Sequence, residues 1–103
     1  MPIVNVIARF AVRPDSLQSF EDAIAHARPE MLADPGCLRY DLQRVRKSDS
    51  AYVLLEAYDS SDALRRHGEL EAFRKLGVAL ADLLLAKPDV LILDPVGHQV
   101  ARA

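Results

Sequence analysis

The order of apolar periodicities along the chain constrains its fold more than any other feature of the sequence. Residues 3–12 are rich in β-branched side chains over a short span, which predicts a strand. Residues 16–33 carry apolar side chains at three- and four-residue steps, which predicts a helix. Residues 37–45 and 51–59 favour two strands of a hairpin, joined by a polar loop. A second helical region and a strand over 90–93 complete the order β-α-β-β-α-β.

Two features are expected to shape the first helix. Asp15 and Gln18 have the spacing of a capping box, in which side chains bond the free backbone N–H groups of the first turn. Pro29 lacks a backbone N–H, so we expect it to kink or break the helix near Arg28.

The second helical region is expected to consist of two pieces. Residues 60–62, Ser-Ser-Asp, offer the side-chain oxygens that cap a helix N-terminus. A short helix is predicted to run through His67, to break at Gly68, and to be followed by a longer helix from Glu69 to about Leu85.

This order of elements predicts an α+β, ferredoxin-like βαββαβ fold, with a four-stranded antiparallel sheet and both helices on one face. The first strand agrees, because one of its faces is wholly apolar and the other is mixed; the apolar face comprises Val4, Val6, Ala8, Phe10 and Val12. The bare face of the sheet would expose a large apolar patch, so we predict a homodimer packed sheet to sheet. Residues 1–96 are predicted to form one domain and 97–103 a tail.

Composition excludes several classes of function. A chain of 103 residues supports a single domain, and its net charge of −2 with scattered basic residues argues against a nucleic-acid partner. No stretch resembles a signal peptide or a membrane span, so a cytoplasmic location is the default expectation. The single Cys37 cannot form an internal disulfide, and we interpret it as a small buried hydrophobe.

Two ionisable residues are the candidate catalytic groups. Glu56 interrupts an apolar strand, and a carboxylate in a partly dry site can act as a base or orient a histidine. Alternatively, Glu56 pairs with an arginine and closes the sheet. His67 titrates near neutral pH and could take a proton from a phenol, or it could cap the end of its helix.

Five further residues are candidates for substrate binding. Asn5 and Arg9 lie on the mixed face of the first strand, where they either satisfy each other or hold a ligand oxygen. Tyr40 and Tyr58 could orient a planar ligand or fill the core, and Phe73 could form a cavity wall. We expect no metal and no nucleotide or flavin cofactor, because the histidines lack ligand spacing and no glycine-rich loop follows a strand.

Residues 34–40 read Asp-Pro-Gly-Cys-Leu-Arg-Tyr, and they are followed by Glu56-Ala57-Tyr58, by a Ser-x-x-Ala-Leu helix start at residues 60–64 and by His67. This series of motifs resembles the antibiotic biosynthesis monooxygenase (ABM) family, which includes quinol monooxygenases. The resemblance implies a dimeric α+β barrel that oxidises a small phenolic or quinol substrate with dioxygen and uses no cofactor. It implies that His67 and Glu56 handle the proton. Family members often carry a second histidine where this chain has Ala72.

Two other functions stay open at this point. The same residues would serve a non-redox isomerase, or a small-ligand-binding module without turnover. A haem-degrading enzyme of the same superfamily is less favoured, because this chain has no tryptophan and no histidine near Gly77.

Overall fold

The computed structural model of the protein describes residues 2–97. The predicted tail over 97–103 lies outside the described residues from position 98 onward. The elements of the described part, in chain order, are β1 (Val4–Ala11), α1 (Leu17–Leu32), β2 (Cys37–Arg44), β3 (Ala51–Tyr58), α2 (Ser61–Glu69), α3 (Glu71–Ala81) and β4 (Asp89–Leu93). None of the helices within residues 2–97 combines the length and hydropathy needed to span a bilayer.

The strands form one antiparallel sheet in the order β2-β3-β1-β4. This order arises because each of the two β-helix-β connections returns to the sheet with one strand left between its ends. The predicted ferredoxin-like α+β fold is therefore confirmed, and the second helical region consists of two helices, α2 and α3, as expected.

The two faces of the sheet differ in burial because strand side chains alternate. On β3, Tyr52, Leu54, Glu56 and Tyr58 are buried, and the residues between them are half-buried. The buried face packs against α1 and α2 over a core that also contains the predicted apolar face of β1. The opposite face carries no helix within the described residues.

The first helix is continuous, and the expected break at Pro29 is wrong. Pro29 lies on the exposed side, while Ala27 and Met31 on either side of it are buried. Packing of this stripe holds the helix through the missing hydrogen bond, and the carbonyl freed by proline can meet water. The capping box is also absent, because Gln18 bonds Asp22 and the N-cap makes no side-chain hydrogen bond.

The second helical region divides at a different residue from the one predicted. Ser60 caps α2 as expected, since its Oγ accepts a hydrogen bond from the Ala63 N–H at 3.1 Å. The helix then passes through Gly68 and ends at Glu69. The next residue, Leu70, has an extended backbone and a side chain that packs on the core. The following helix ends at Ala81 rather than Leu85, because the next residues return to the end of β1, where the Arg13 N–H donates to the Leu83 carbonyl.

Candidate functional site

A cavity of about 280 Å³ lies between the sheet and helices α2 and α3. Its wall is almost wholly apolar, and its polar side chains, Tyr40, Glu56 and His67, come from β2, β3 and α2. On the other side, Val90 and Ile92 of β4 are exposed at its edge. The cavity thus has a polar end beside β2 and β3 and an apolar end beside β4.

Glu56 and Tyr58 form a buried hydrogen-bonded pair at the polar end. The Tyr58 hydroxyl donates to Oε1 of Glu56, and both side chains are almost completely inaccessible to water. Burial raises the pKa of Glu56, and the bond from Tyr58 opposes that effect only in part. Burial and the nearby carboxylate also raise the pKa of Tyr58, so its hydroxyl remains a donor.

His67 lies beside this pair, and neither of its ring nitrogens makes a hydrogen bond to the described residues. Its Nε2 is 3.7 Å from Oε1 of Glu56, too far for a hydrogen bond, and its buried Nδ1 has no partner among the described residues. Burial lowers the pKa of His67, with a smaller opposing effect from Asp34. The lowered pKa of His67 and the raised pKa of Glu56 both favour neutral side chains, so the contact is not a full ion pair.

Aromatic rings fix the position of the imidazole. The ring centroid of His67 is 5.1 Å from that of Tyr58, 5.7 Å from that of Tyr40 and 5.3 Å from that of Phe73, the last in an edge-on arrangement. Such contacts restrict the ring without satisfying its nitrogens. The imidazole is therefore held in place beside the cavity with no hydrogen bond to the described residues.

The turn before β2 places α2, and with it His67. A Cβ on Gly36 would lie 2.7 Å from the Cβ of Ala63, so only glycine lets the turn approach the helix this closely. Arg66 donates two hydrogen bonds to the carboxylate of Asp34, which also accepts from the Gly36 N–H. The Asp-Pro-Gly motif thus anchors the helix that carries the histidine.

A β-bulge directs Tyr40 into the cavity. The pairing of β2 with β3 shifts between Cys37 and Arg39, which leaves Leu38 exposed as the extra residue. Without the bulge, Cys37 and Tyr40 would face opposite sides of the sheet, whereas both are buried on the helix side.

The structure brings together five of the seven residues predicted for the site. Tyr40, Glu56, His67 and Phe73 line the cavity, and Tyr58 lies behind Glu56 rather than in the wall. The remaining two, Asn5 and Arg9, lie on the opposite face of the sheet, because their neighbours on β1 face the helices. Asn5 pairs across the strands with Ala57 and Leu93, and Arg9 is exposed with its Nη1 3.6 Å from Oδ2 of Asp89.

Sequence reasoning missed the apolar end of the cavity. Its wall there comes from α3, from the segment before β4 and from β4 itself, including Leu76, Gly77, Leu80, Pro88 and Val90. Leu76, Gly77 and Leu80 carry no chemically distinctive side chain, so their residue types do not mark them as cavity lining. Within residues 2–97, no group of three acidic, histidine or cysteine side chains lies close enough to hold a metal ion.

Several solved structures share this fold. A candidate antibiotic biosynthesis monooxygenase from Caulobacter crescentus CB15 is 32% identical, with a TM-score of 0.88 over 92% of this chain and 91% of that one. Rv0793 from Mycobacterium tuberculosis is 28% identical, with a TM-score of 0.88 over 95% of this chain and 99% of that one. SnoaB from Streptomyces nogalater, described as a cofactor-independent oxygenase and solved as its N63A mutant, is 24% identical, with a TM-score of 0.82 over 99% and 100% of the two chains.

The sequence comparison with protein families is equally clear, although no curated protein matches the chain. The sequence model described as antibiotic biosynthesis monooxygenase matches residues 3–77, which is more than half of the chain. The resemblance seen in the sequence is confirmed, and the chain belongs to the antibiotic biosynthesis monooxygenase family.

Proposed function

We propose that the protein is a monooxygenase that oxidises a small phenolic or quinol substrate with dioxygen and needs no bound cofactor. The observation that carries the proposal is that His67 lines the polar end of an apolar cavity with neither ring nitrogen hydrogen-bonded to the described residues. A planar ring fits the apolar wall, and its hydroxyl group would supply the missing partner. SnoaB shares the fold and is described as a cofactor-independent oxygenase, which is compatible with this chemistry.

His67 is the proposed base for the substrate hydroxyl. Because burial lowers its pKa, the imidazole is neutral at neutral pH and can accept a proton. The resulting imidazolium would lie beside the phenolate, whose opposite charge stabilises it. It would also lie 3.7 Å from Oε1 of Glu56, which would stabilise it further where that carboxyl is ionised. Tyr40 is proposed to orient the ring, and Phe73 to cover it.

The proposed reaction balances without another reductant. The phenolate donates electrons to dioxygen, one oxygen atom forms a carbonyl on the ring, and the other leaves as water with two hydrogens from the substrate. A hydroquinone with a free ring position would give a hydroxyquinone and one water. The apolar cavity excludes bulk water, which limits loss of partly reduced oxygen during these steps.

Oxygen uptake tests this function. With at least one member of a panel of hydroquinones and naphthols, the wild-type protein is expected to consume one molecule of dioxygen per molecule of product. His67→Ala should lower the rate by about 10²–10⁴-fold, the usual contribution of a general base, and Glu56→Gln should also lower it. His26→Ala and Glu30→Gln, both exposed on α1, are matched controls that should leave the rate unchanged.

Two outcomes would contradict the proposal. One is the absence of oxygen uptake with every substrate, accompanied by exchange of an α-proton in a ketone or oxo-acid, which indicates an isomerase. The other is equal activity of His67→Ala and wild type, which shows that the histidine is not the base.

We further propose that the protein is a homodimer joined through the bare face of the sheet. Ile7 lies at the centre of this face, paired with Leu55 on β3 and Leu91 on β4, and their side chains form an apolar row. Leu91 is 39% exposed, as expected for a side chain that lacks its cover. In such a dimer Asn5 and Arg9 would lie between the sheets rather than in the cavity.

The mass in solution tests the dimer. Wild type is expected to sediment as a dimer at micromolar concentration, and Ile7→Lys as a monomer. Val78→Lys places the same charge on an exposed position of α3 and should remain dimeric. A monomeric wild type would overturn the proposal.

A further inference from the structure

Gly77 lies inside the continuous helix α3, although neither its backbone conformation nor its packing requires a glycine. It lies inside the helix Glu71–Ala81, where glycine is the least favourable residue other than proline. Its φ is not positive, so the backbone does not require glycine there. A Cβ added to Gly77 would meet nothing within 4 Å, so no neighbouring group requires the absence of a side chain.

A second depression adjoins the cavity beside Gly77. An apolar groove of about 460 Å³ runs along the end of α3 and the segment before β4, and Gly77, Leu80 and Pro88 belong to both walls. The rest of the groove is formed by Ala81, Leu84, Leu85, Ala86 and Lys87. Leu85 is 58% exposed, so the groove is open to solvent along its length.

The groove leaves the cavity on the side away from the polar groups. Glu56 lies on β3 and Tyr40 on β2, whereas Pro88 precedes β4, and β1 separates β3 from β4. Two strand spacings separate β3 from β4, which is about 10 Å. A ring whose hydroxyl faces His67 therefore directs its opposite edge towards Gly77.

From these observations we propose that the ligand is a hydroxylated aromatic ring with an aliphatic tail, and that the tail passes Gly77 into the groove. This inference rests on the proposed function for the aromatic head, and it adds the class of substituent and the residue that admits it. Apolar lining and an exit opposite the polar end fit an alkyl chain, and the open side tolerates chains of different length.

Binding of 4-methylphenol, 4-propylphenol and 4-hexylphenol, followed by NMR titration, tests the proposal without turnover. A fully buried methylene tightens binding about fourfold, and in a half-open groove about twofold is expected. Wild type should therefore bind 4-hexylphenol about 30-fold more tightly than 4-methylphenol. Gly77→Leu should keep the affinity for 4-methylphenol and lose most of the gain from the longer tails.

Two variants complete the design. Val78→Leu adds bulk to the neighbouring, exposed position of α3 and should behave as wild type. Leu85→Ser changes the groove but not the cavity, so it should also reduce the gain in affinity from the longer tails. This variant takes the place of Gly77→Leu if the circular dichroism of Gly77→Leu shows a loss of helix.

The inference is overturned by a wild type whose affinity is independent of tail length, or by Gly77→Leu weakening all three phenols equally. It is also overturned if the groove variants change the mass of the protein in solution but not its affinity for the alkylphenols, because that result means that a second copy covers the groove. Failure of oxygen uptake with intact tail-dependent binding would instead contradict only the proposed function.

Discussion

Removal of the Tyr58 hydroxyl measures the charge state of Glu56 inside the protein. In Tyr58→Phe, Oε1 of Glu56 loses the hydrogen bond that Tyr58 donates, while the ring is kept. A hydrogen bond to a charged group contributes about 1.5–3 kcal/mol to stability, and one to a neutral group about 1 kcal/mol. The cost of the substitution should therefore depend on whether Glu56 is ionised.

The direction in which the cost of Tyr58→Phe changes with pH follows from the pKa of Glu56. Burial raises this pKa in the folded state, so folding favours the protonated carboxyl; the stability from this group is present below the unfolded pKa and is lost as pH rises through the folded pKa. The bond from Tyr58 opposes the rise, so Tyr58→Phe should raise the pKa of Glu56 further. We expect the substitution to cost about 1 kcal/mol at pH values where Glu56 is protonated and about 2–3 kcal/mol where it is ionised, so the cost should rise with pH.

Urea unfolding over a series of pH values from about 5 upwards gives the free energies directly. With an m-value of about 1–3 kcal/mol/M, the larger cost lowers the midpoint by about 0.7–3 M. Tyr52→Phe is the matched control, because Tyr52 lies on the same strand and donates to Glu21. The hydroxyl of Tyr52 and Arg44 lower the pKa of Glu21, so that carboxylate stays ionised across the range and the cost should not vary with pH.

The same loss of stability for Tyr58→Phe at every pH value of the series would refute this reasoning. So would a loss that depends on pH to the same extent in Tyr52→Phe. Placing Tyr58→Phe in a Glu56→Gln background should remove the pH dependence, since a glutamine cannot ionise.

Three further predictions concern stability. Gly77→Ala should raise the free energy of unfolding by about 1 kcal/mol in urea, because alanine favours the helix and meets open space; an unchanged value would contradict this. Gly36→Ala should lower the free energy of unfolding by about 1–3 kcal/mol, because the new Cβ overlaps Ala63. An unperturbed His67 NMR signal in this variant would argue against the anchoring role of the turn. As pH drops below about 6.5, the melting temperature of wild type should fall more than that of His67→Gln. The reason is that burial lowers the pKa of His67 in the folded state, so the unfolded state binds the proton more tightly. Parallel pH profiles of the two melting temperatures would contradict this.

Strand periodicity and turn chemistry were sufficient to predict the order of the elements. Glu56 and Tyr58 share a face because residues two apart on a strand always do, and Ser60 caps α2 as its side chain predicted. The expected break at Pro29 failed because a local rule about backbone donors competes with the burial of Ala27 and Met31 over the whole helix. The bulge at Leu38 left no clear signal, since any residue can occupy it.

The position of Asn5 relative to Glu56 could not be read from the sequence, because it depends on the register between β1 and β3. In the structure Val6 is the partner of Glu56, so residues of odd number on β1 face away from the carboxylate. A slip of one residue would have brought Asn5 and Arg9 to the cavity and removed Val6 and Ala8 from the core.

This separation of the faces gives the two proposals independent tests. The cavity lies on the helix side of the sheet and the proposed dimer contact on the other, with the thickness of one sheet between them. Ile7→Lys should therefore abolish the dimer and leave the affinity for 4-methylphenol unchanged, whereas His67→Ala should affect binding and leave the mass unchanged. Loss of ligand binding in the Ile7→Lys monomer would show instead that the cavity is complete only in the dimer, and that the faces are coupled through β1.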